Sequence, residues 1–481
     1  MYEVWATRSY DSTTMTDDPL MPAGDLVSRL PAPWRGLASS VCETLAAAGH
    51  RGWVVGGAVR DLLLGRAIKD VDLVSGALPD VVEGLFDRTV AVGKSFGIIV
   101  VVMDGEEVEL ATFRRERGYS DRRRPDEVEY ASAPEEDAGR RDFTCNAIYL
   151  DPLTGEVRDP VGGVADLRAG VLRAVGDAAG RFREDGLRIL RMARFASTLG
   201  LEPAPGLLAA AKGEGGSLAG VSAERVREEL CKMMLGGRPS RALELLVEGG
   251  HADRSLPAMG TPEEVRLRLE VLRTLEAGAG GVHLEPGAES APSKTMWEEG
   301  LAALFGPVLP ATPGGQNLAS EDAVGQLGDR LAQLRCSREE RREVTEILAG
   351  CSELIAASSV DGARPQGLDP AVLDPEGRGE LVQLWRRPSR PSAVALARAW
   401  IRVRRGPLAE ASLQASLTVL EGLHAGAPEV PTMLTAGDLQ ELGVPRGPEL
   451  GRLLHRVQRA SLGGAFADRD GALNWARLQL R

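Results

Sequence analysis

Two aspartates one residue apart stand in the run Lys69-Asp70-Val71-Asp72-Leu73-Val74, just downstream of Val54-Val55-Gly56-Gly57-Ala58-Val59-Arg60-Asp61. On a strand, residues i and i+2 point to one face, so Asp70 and Asp72 would project together while Val71 and Leu73 turn into a core. Two carboxylates that close are costly unless something positive sits between them, and Mg²⁺ with oxygen ligands is the usual answer. The Gly56-Gly57 turn follows an apolar strand and precedes a short helix closed by Gly65. Its bare backbone N–H groups can approach a triphosphate. A phosphate cradle beside metal-binding carboxylates is equipment for nucleotidyl transfer.

The elements that must position these groups are legible from periodicity. Leu37, Val41 and Leu45 form one stripe of a helix over residues 36–50, followed by a strand from Trp53 to Val55. A helix is expected around Asp80 to Phe86, then strands at Thr89–Val92, Ile98–Met103 and Val108–Phe113. Asp104-Gly105 between the last two is a hairpin signal, which puts Glu109 on the second arm. Ala147 to Leu150 makes another strand and Asp159 to Gly163 a turn. The expectation is a small mixed β-sheet with flanking helices, ending near residue 173.

Beyond Gly180 strand signals nearly vanish. Helices are expected at Arg183–Leu199, Ala223–Leu235, Ser240–Val247, Pro262–Leu275, Gln326–Gly350, 390–404, 408–423, 437–442 and 447–461. Residues 276–322 and about 357–378 are rich in Gly and Pro and look like flexible breaks.

With 481 residues the chain should hold several domains, since single cores rarely grow past about 250 to 300 residues. A formal net charge of −12 does not advertise a nucleic-acid partner, so any RNA site must be a local basic patch. Two arginine clusters are candidates: Arg114, Arg115, Arg117 and Arg122 to Arg124, then Arg181, Arg183, Arg188, Arg191 and Arg194. A solvated face is the plain alternative for each. The five cysteines show no framework spacing and suit free thiols in a reducing cytoplasm. No histidine is followed by Asp, no membrane span is visible, and Met1 to about Gly24 reads as a polar extension with Met15 or Met21 as alternative starts.

Four blocks, in order, resemble the class II tRNA nucleotidyltransferase (CCA-adding) and bacterial poly(A) polymerase family. They are Gly56-Gly57-Ala58-Val59-Arg60-Asp61 with Asp70-x-Asp72, Val108 to Arg114, Arg140-Arg141-Asp142-Phe143-Thr144-Cys145-Asn146-Ala147, and Glu184-Asp185-Gly186-Leu187-Arg188 through Phe195. The resemblance implies an α+β fold, a nucleotidyltransferase head followed by all-helical neck, body and tail domains. The corresponding limits are 1–30 for the extension, 31–173 for the head, 174–235 for the neck, 236–275 for the body, 276–322 for the insertion and 323–481 for the tail. It also implies a cytoplasmic enzyme that adds the 3′-terminal CCA of tRNA from CTP and ATP with Mg²⁺, gripping the acceptor arm. Gly118-Tyr119-Ser120-Asp121 and Arg123-Arg124-Pro125 are kept as in members that add the whole triplet. A poly(A) polymerase, an A-only or CC-only enzyme, or a non-catalytic RNA-binding protein would share much of this pattern.

In such an enzyme Asp70 and Asp72 would hold the metal and serve catalysis, with Glu109 as a third carboxylate. Gly57, Arg60 and Arg141 would bind the nucleotide, Asp142 would hold the loop and Asn146 would support either. Asp185 and Arg188, three apart near a helix N-terminus, would share a face and offer one acceptor and one fork of donors. Cytosine and adenine present an amino donor beside a ring acceptor, whereas guanine and uracil present the reverse. Leaving the wrong base's groups unpaired costs roughly 1 to 3 kcal/mol each. Arg191 and Arg194 complete the nucleotide-binding set.

Overall fold

The computed structural model describes residues 26–93, 97–103, 105–117, 127–236, 238–252, 261–278, 300–304, 321–357, 374–387, 389–405, 407–427 and 434–480. Residues 1–25 of the N-terminal extension and the motif from Gly118 to Pro125, with Arg122 to Arg124, lie outside the described residues; of the rest of the extension, Leu26 and Leu30 are buried. The chain divides into two compact units, one within Met1–Leu256 and the other comprising Pro257–Gly281 and Pro292–Arg481.

The first unit begins with α1 (Leu26–Arg29) and α2 (Ala32–Ala47), which lead into β1 (Gly52–Val55). Then come α3 (Gly57–Leu63), β2 (Asp72–Ser75), α4 (Pro79–Leu85), β3 (Thr89–Gly93), β4 (Ile98–Met103) and β5 (Glu106–Thr112). A separate hairpin joins β6 (Arg114–Arg117) to β7 (Glu127–Tyr130), followed by α5 (Pro134–Ala138), a 3₁₀ turn at Thr144–Asn146, β8 (Tyr149–Leu150) and β9 (Val157–Arg158). The seven-stranded sheet runs β3-β4-β5-β2-β1-β8-β9, and its one parallel pairing is β2 on β5. The expected hairpin closes with Met103 opposite Glu106 across the turn at Gly105, whose φ of +87° suits glycine.

Register decides which side chains share a face. Glu109, Asp72, Val55 and Tyr149 lie in one cross-strand row, because each is the ladder partner of the next. Residues directly opposite share a face. Trp53, Val55, Val74 and Tyr149 on this face pack with Phe113, Ala138, Ala147 and Val175 into a buried core. Leu73, Leu110, Val54 and Leu150 form the row on the opposite face and are all buried.

After α6 (Gly163–Arg168) and β10 (Val171–Leu172), the described elements are helical apart from β11 (Glu202–Pro203), a two-residue partner of β10. The fold is therefore α+β, a mixed-sheet head followed by helices. The single helix expected over Arg183–Leu199 is two, α7 (Ala178–Glu184) and α8 (Leu187–Leu199). Asp185 between them is extended, at φ −145° and ψ 108°, and its Oδ1 accepts from Leu187 N at 3.0 Å. Gly186 meets the backbone there: an added Cβ would fall 2.4 Å from Ser217 O. Then follow α9 (Leu207–Gly213), α10 (Ala223–Met234) and α11 (Pro239–Glu248).

The second unit's described residues are all helical or connecting, with a buried cluster around Leu439, Leu453 and Val457. The helix expected over Gln326–Gly350 is also two, Glu321–Gln333 and Arg338–Ala357. Ser337 and Glu340 cap the second reciprocally, Ser337 N donating to Glu340 Oε2 and Glu340 N donating to Ser337 Oγ. Within the span expected as a flexible insertion, Leu301 to Leu304 are buried, with Arg268 donating to Ala303 O at 3.3 Å. The second expected break is likewise shorter, since a helix starts at Pro375. Among the described residues, no helix is long and apolar enough to cross a membrane, and all five cysteines are free.

Gly186→Ala should destabilise the first unit by about 1 to 3 kcal/mol, because the backbone of Ser217 has to yield to the new methyl group. Urea unfolding of the variant beside the parent protein measures it; an unchanged midpoint would mean that the two segments are not in contact.

Candidate active site

The strand that carries the acidic pair begins at Asp72, so Asp70 precedes it and is not two residues back on the same strand. Both side chains are exposed, while Val71 and Leu73 are buried as alternation requires. What joins Asp72 to another carboxylate is the parallel pairing of β2 with β5, which sets Glu109 directly beside it. Asp72 is open to solvent on one side, but protein crowds it. Loss of hydration, then the negative charges of Asp70 and Glu109, push its carboxyl up to about 6 against the opposing pull of Arg141. Among the described residues, no three His, Cys, Asp or Glu side chains converge closely enough to hold an ion by themselves.

The glycine turn lies one strand away. Gly56 has φ +75° and ψ −129°, a conformation that disfavours any side chain, and it caps α3 so that Gly57 opens the helix. Arg60 is buried and committed: Nε and Nη2 donate to Asp61 Oδ1 and Oδ2, each at 2.9 Å, and Nη1 donates to Asn146 Oδ1 at 2.7 Å. Arg60 and Asp61 thus form an ion pair in which Asp61 is half-buried. Arg141 sits against the turn, its Nη1 3.6 Å from where a Cβ of Gly56 would be. It donates to Asp137, Tyr149 and the carbonyl of Asn146. The side chain of Asn146 links this loop to its neighbour, its Nδ2 donating to Asp142 Oδ1 at 3.0 Å.

Asp185 and Arg188 are not assembled as one helix face, because Asp185 lies in the link before α8. Its partner is Arg225 on α10, whose Nη2 donates to Asp185 Oδ2 at 2.7 Å. Arg188 is buried and donates to Glu184 Oε2 at 2.6 Å and to the carbonyls of Arg181 and Arg140. Arg191 donates to Asp142 at 2.7 Å, and Arg194 to Glu229 on α10 at 2.5 Å. Arg194, Arg191 and Arg60 surround the ring of Phe195 at 4.0, 5.1 and 5.2 Å. Arg66 ties the end of α3 to this layer, donating to Thr198 O at 3.0 Å.

The second arginine cluster is therefore no free basic patch. Arg181 and Arg188 pair with Glu184, Arg183 with Glu214, Arg191 with Asp142, and Arg194 with Glu229. The first cluster is also moderated, since Arg115 pairs with Glu136 and faces Glu129 across its hairpin. Sequence reasoning missed Asp137, Glu184, Arg225 and Glu229 as partners. The i, i+4 spacing of Arg225 and Glu229 on one helix face was a signal for α10. Asp137, which is buried completely, stands three and four residues before Arg140 and Arg141, a spacing that was likewise a local signal.

Residues 52–173 match the Poly A polymerase head domain. Residues 200–260 match a domain described as "Probable RNA and SrmB- binding site of polymerase A". The CCA-adding enzyme of Geobacillus stearothermophilus is 43% identical over 232 residues, 48% of this chain and 57% of that protein. That of Bacillus pumilus is 44% identical over 207 residues, 43% of this chain and 52% of its own length. The chain thus spans just over half the length of the curated relatives it matches. Among solved structures, the Bacillus stearothermophilus CCA-adding enzyme in complex with CTP superimposes with a TM-score of 0.64, at 27% identity, over 93% of this chain and 98% of that one. The Thermotoga maritima CCA-adding enzyme complexed with tRNA shares the fold, with a TM-score of 0.62 at 19% identity over 96% and 99% of the two chains.

The tightly held acid gives a pH test. Burial works against the charge of Asp142, but the Arg191 guanidinium and hydrogen bonds from Asn146, Arg191 and Phe143 outweigh it and pull the carboxyl down to about 2. An acid depressed in the fold stabilises it fully above its unfolded value near 4 and loses that effect as pH falls through the folded value. Between pH 5 and pH 2 this group should remove about 2 kcal/mol of unfolding free energy. The pH dependence of urea unfolding should accordingly be shallower over that window for Asp142→Asn than for the parent protein; equal slopes would refute the assignment.

Proposed function

For a chain that carries the head and RNA-binding domains of the poly A polymerase family, we propose nucleotidyl transfer onto the 3′ end of tRNA, adding or repairing CCA from CTP and ATP. The observation that carries this is the row Glu109–Asp72 at the end of an apolar sheet face, one strand from the glycine turn and under the field of Arg141. The names of the curated relatives support the choice of reaction. The cellular setting we propose is the cytoplasm, where tRNA is matured.

The donor set fits a divalent cation, and Mg²⁺ in particular. Asp70, Asp72 and Glu109 supply hard oxygen ligands and mutual repulsion that a cation relieves. Mg²⁺ is commonly bound through one or two carboxylates, which these acids can supply, plus substrate phosphates. Asp70 and Asp72 would hold it, with Glu109 beside them. Once bound it would lower the pKa of the RNA 3′-hydroxyl and neutralise charge on departing pyrophosphate.

The protein's own groups do the positioning. Backbone N–H groups at Gly57 receive the triphosphate, and Arg141 approaches it from the other side of the Gly56 turn. Arg60, already saturated by Asp61 and Asn146, acts mainly by stiffening the turn and adding positive field. The attacking 3′-hydroxyl and the α-phosphorus are brought together on the Asp72 edge, where orientation contributes most.

Base choice falls to α7–α8. Asp185, oriented by Arg225, accepts from the amino group of C or A. Arg188, fixed by Glu184 and two carbonyls, donates to the ring nitrogen. Arg191 and Arg194 supply the charged floor around Phe195. We assign 31–173 to the catalytic head, 174–235 to the neck, 236–275 to the body and 323–481 to the tail, with the helices beyond the head contacting the acceptor arm through its phosphates. A poly(A) polymerase would share this head, and its product distinguishes it.

Incorporation of labelled CTP and ATP into tRNAs ending at the discriminator base, at C and at CC tests the reading. Two C and one A, followed by stopping, is the expected product. Long A tails on unrelated RNA would instead indicate the poly(A) polymerase. Asp72→Ala should abolish incorporation while tRNA binding persists, and Arg188→Ala should admit UTP. The metal assignment has its own readout: adding Mg²⁺ at pH 6 should release a proton from the Asp72 carboxyl, and at pH 8 it should release none. Equal release at both pH values would remove Asp72 from the metal site.

A further inference from the structure

Arg141 reaches the glycine turn from an unusual anchor. Asp137, on the short helix α5, is 0% exposed. It accepts from Arg141 Nε at 3.0 Å and Nη2 at 2.9 Å, from Arg140 Nε at 2.7 Å, from the Tyr149 hydroxyl at 3.0 Å and from Arg114 N at 3.4 Å. Tyr149 closes the triangle, since its oxygen also accepts from Arg141 Nε at 3.2 Å. Nη1 of Arg141 donates to Asn146 O at 3.2 Å. A guanidinium has five N–H groups. These bonds leave one N–H on each terminal nitrogen uncommitted among the described residues, on a side chain that is 16% exposed.

The anchor is built into the catalytic row. Tyr149 is the ladder partner of Val55, and Val55 that of Asp72, so the hydroxyl that steadies Arg141 rises from the same face as the catalytic carboxylate. One carboxylate serves two guanidinia, Arg140 and Arg141, and of the two it is Arg141 whose positive charge acts on Asp72 against the fields of Asp70 and Glu109. A single oxygen, Asp137 Oδ2, accepts from both Nε and Nη2 on the far edge of Arg141 and so restricts the plane of its fork, the property that makes arginine selective for phosphate oxygens.

We propose that Asp137, seconded by Tyr149, is the positioning residue of this site: it clamps Arg141 so that the uncommitted N–H groups meet the nucleotide's phosphates. This rests on the reading that Arg141 binds the triphosphate. Asp137 touches neither substrate nor metal and acts wholly through Arg141. Its removal should therefore weaken nucleotide binding and leave the chemical step alone.

The test is a double-mutant cycle on the full chain, read as CTP affinity by calorimetry, KM and kcat for CTP, and thermal midpoint. Tyr149→Phe deletes one oxygen and should raise KM about threefold with kcat and midpoint unchanged; Asp137→Asn should raise it about tenfold. In the Arg141→Ala background both substitutions should be silent. Effects that persist undiminished in that background, or a lowered midpoint with unchanged KM, would overturn the proposal and leave Asp137 a purely structural acid. If Arg141→Ala alone leaves KM untouched while Asp72→Ala is dead, the role of Arg141 fails, and the proposal with it, but nucleotidyl transfer stands. A parent protein that neither binds CTP nor incorporates it would instead overturn the functional reading itself.

Discussion

Much of this structure follows from placing two carboxylates side by side at the end of an apolar sheet face. The parallel pairing of β2 with β5 brings Asp72 against Glu109, with Asp70 close enough to add its field. Repulsion of that kind persists only because the apolar rows on both faces of the sheet over-determine the register. A slip of one residue would turn Asp72 toward the buried row of Leu73, Leu110, Val54 and Leu150 on the opposite face. The repulsion between the acids is thus held in place by hydrophobic packing.

The surrounding positive charge is organised rather than merely abundant. Arg60, Arg141, Arg188, Arg191 and Arg194 are all tied to carboxylates: Asp61, Asp137, Glu184, Asp142 and Glu229. Partly buried guanidinia without such partners would be costly. The pairing also removes conformational freedom that substrate binding would otherwise have to restrict. In a chain with net charge −12 these arginines thus add no free basic patch.

Several features were legible before any coordinates. The glycine turn, the hairpin at Gly105 and the alternation around Asp72 are local patterns, and the strands and most helices lie where periodicity put them. The boundaries that were missed share a cause. A helix was drawn through Asp185-Gly186 because the apolar stripe of α8 continues backward in register, but Gly186 lies against the backbone of Ser217, a contact invisible to periodicity. At Ser337 the spacing to Glu340 is a capping-box signal in the sequence, and the two residues cap the second helix reciprocally.

By itself, the sequence determined the chemistry available: acids at strand spacing, a turn only glycine adopts, and arginines on a helical stripe. These depend on neighbours within a few residues, where backbone geometry is nearly universal. Tertiary structure alone decided the long-range pairings. Arg225 pairing with Asp185 and Glu229 holding Arg194 link positions that only packing brings together, whereas Asp137 and Arg141 are four residues apart. Ion pairs depend on distances of a few ångströms, and sequence spacing constrains those only within a single helix or strand.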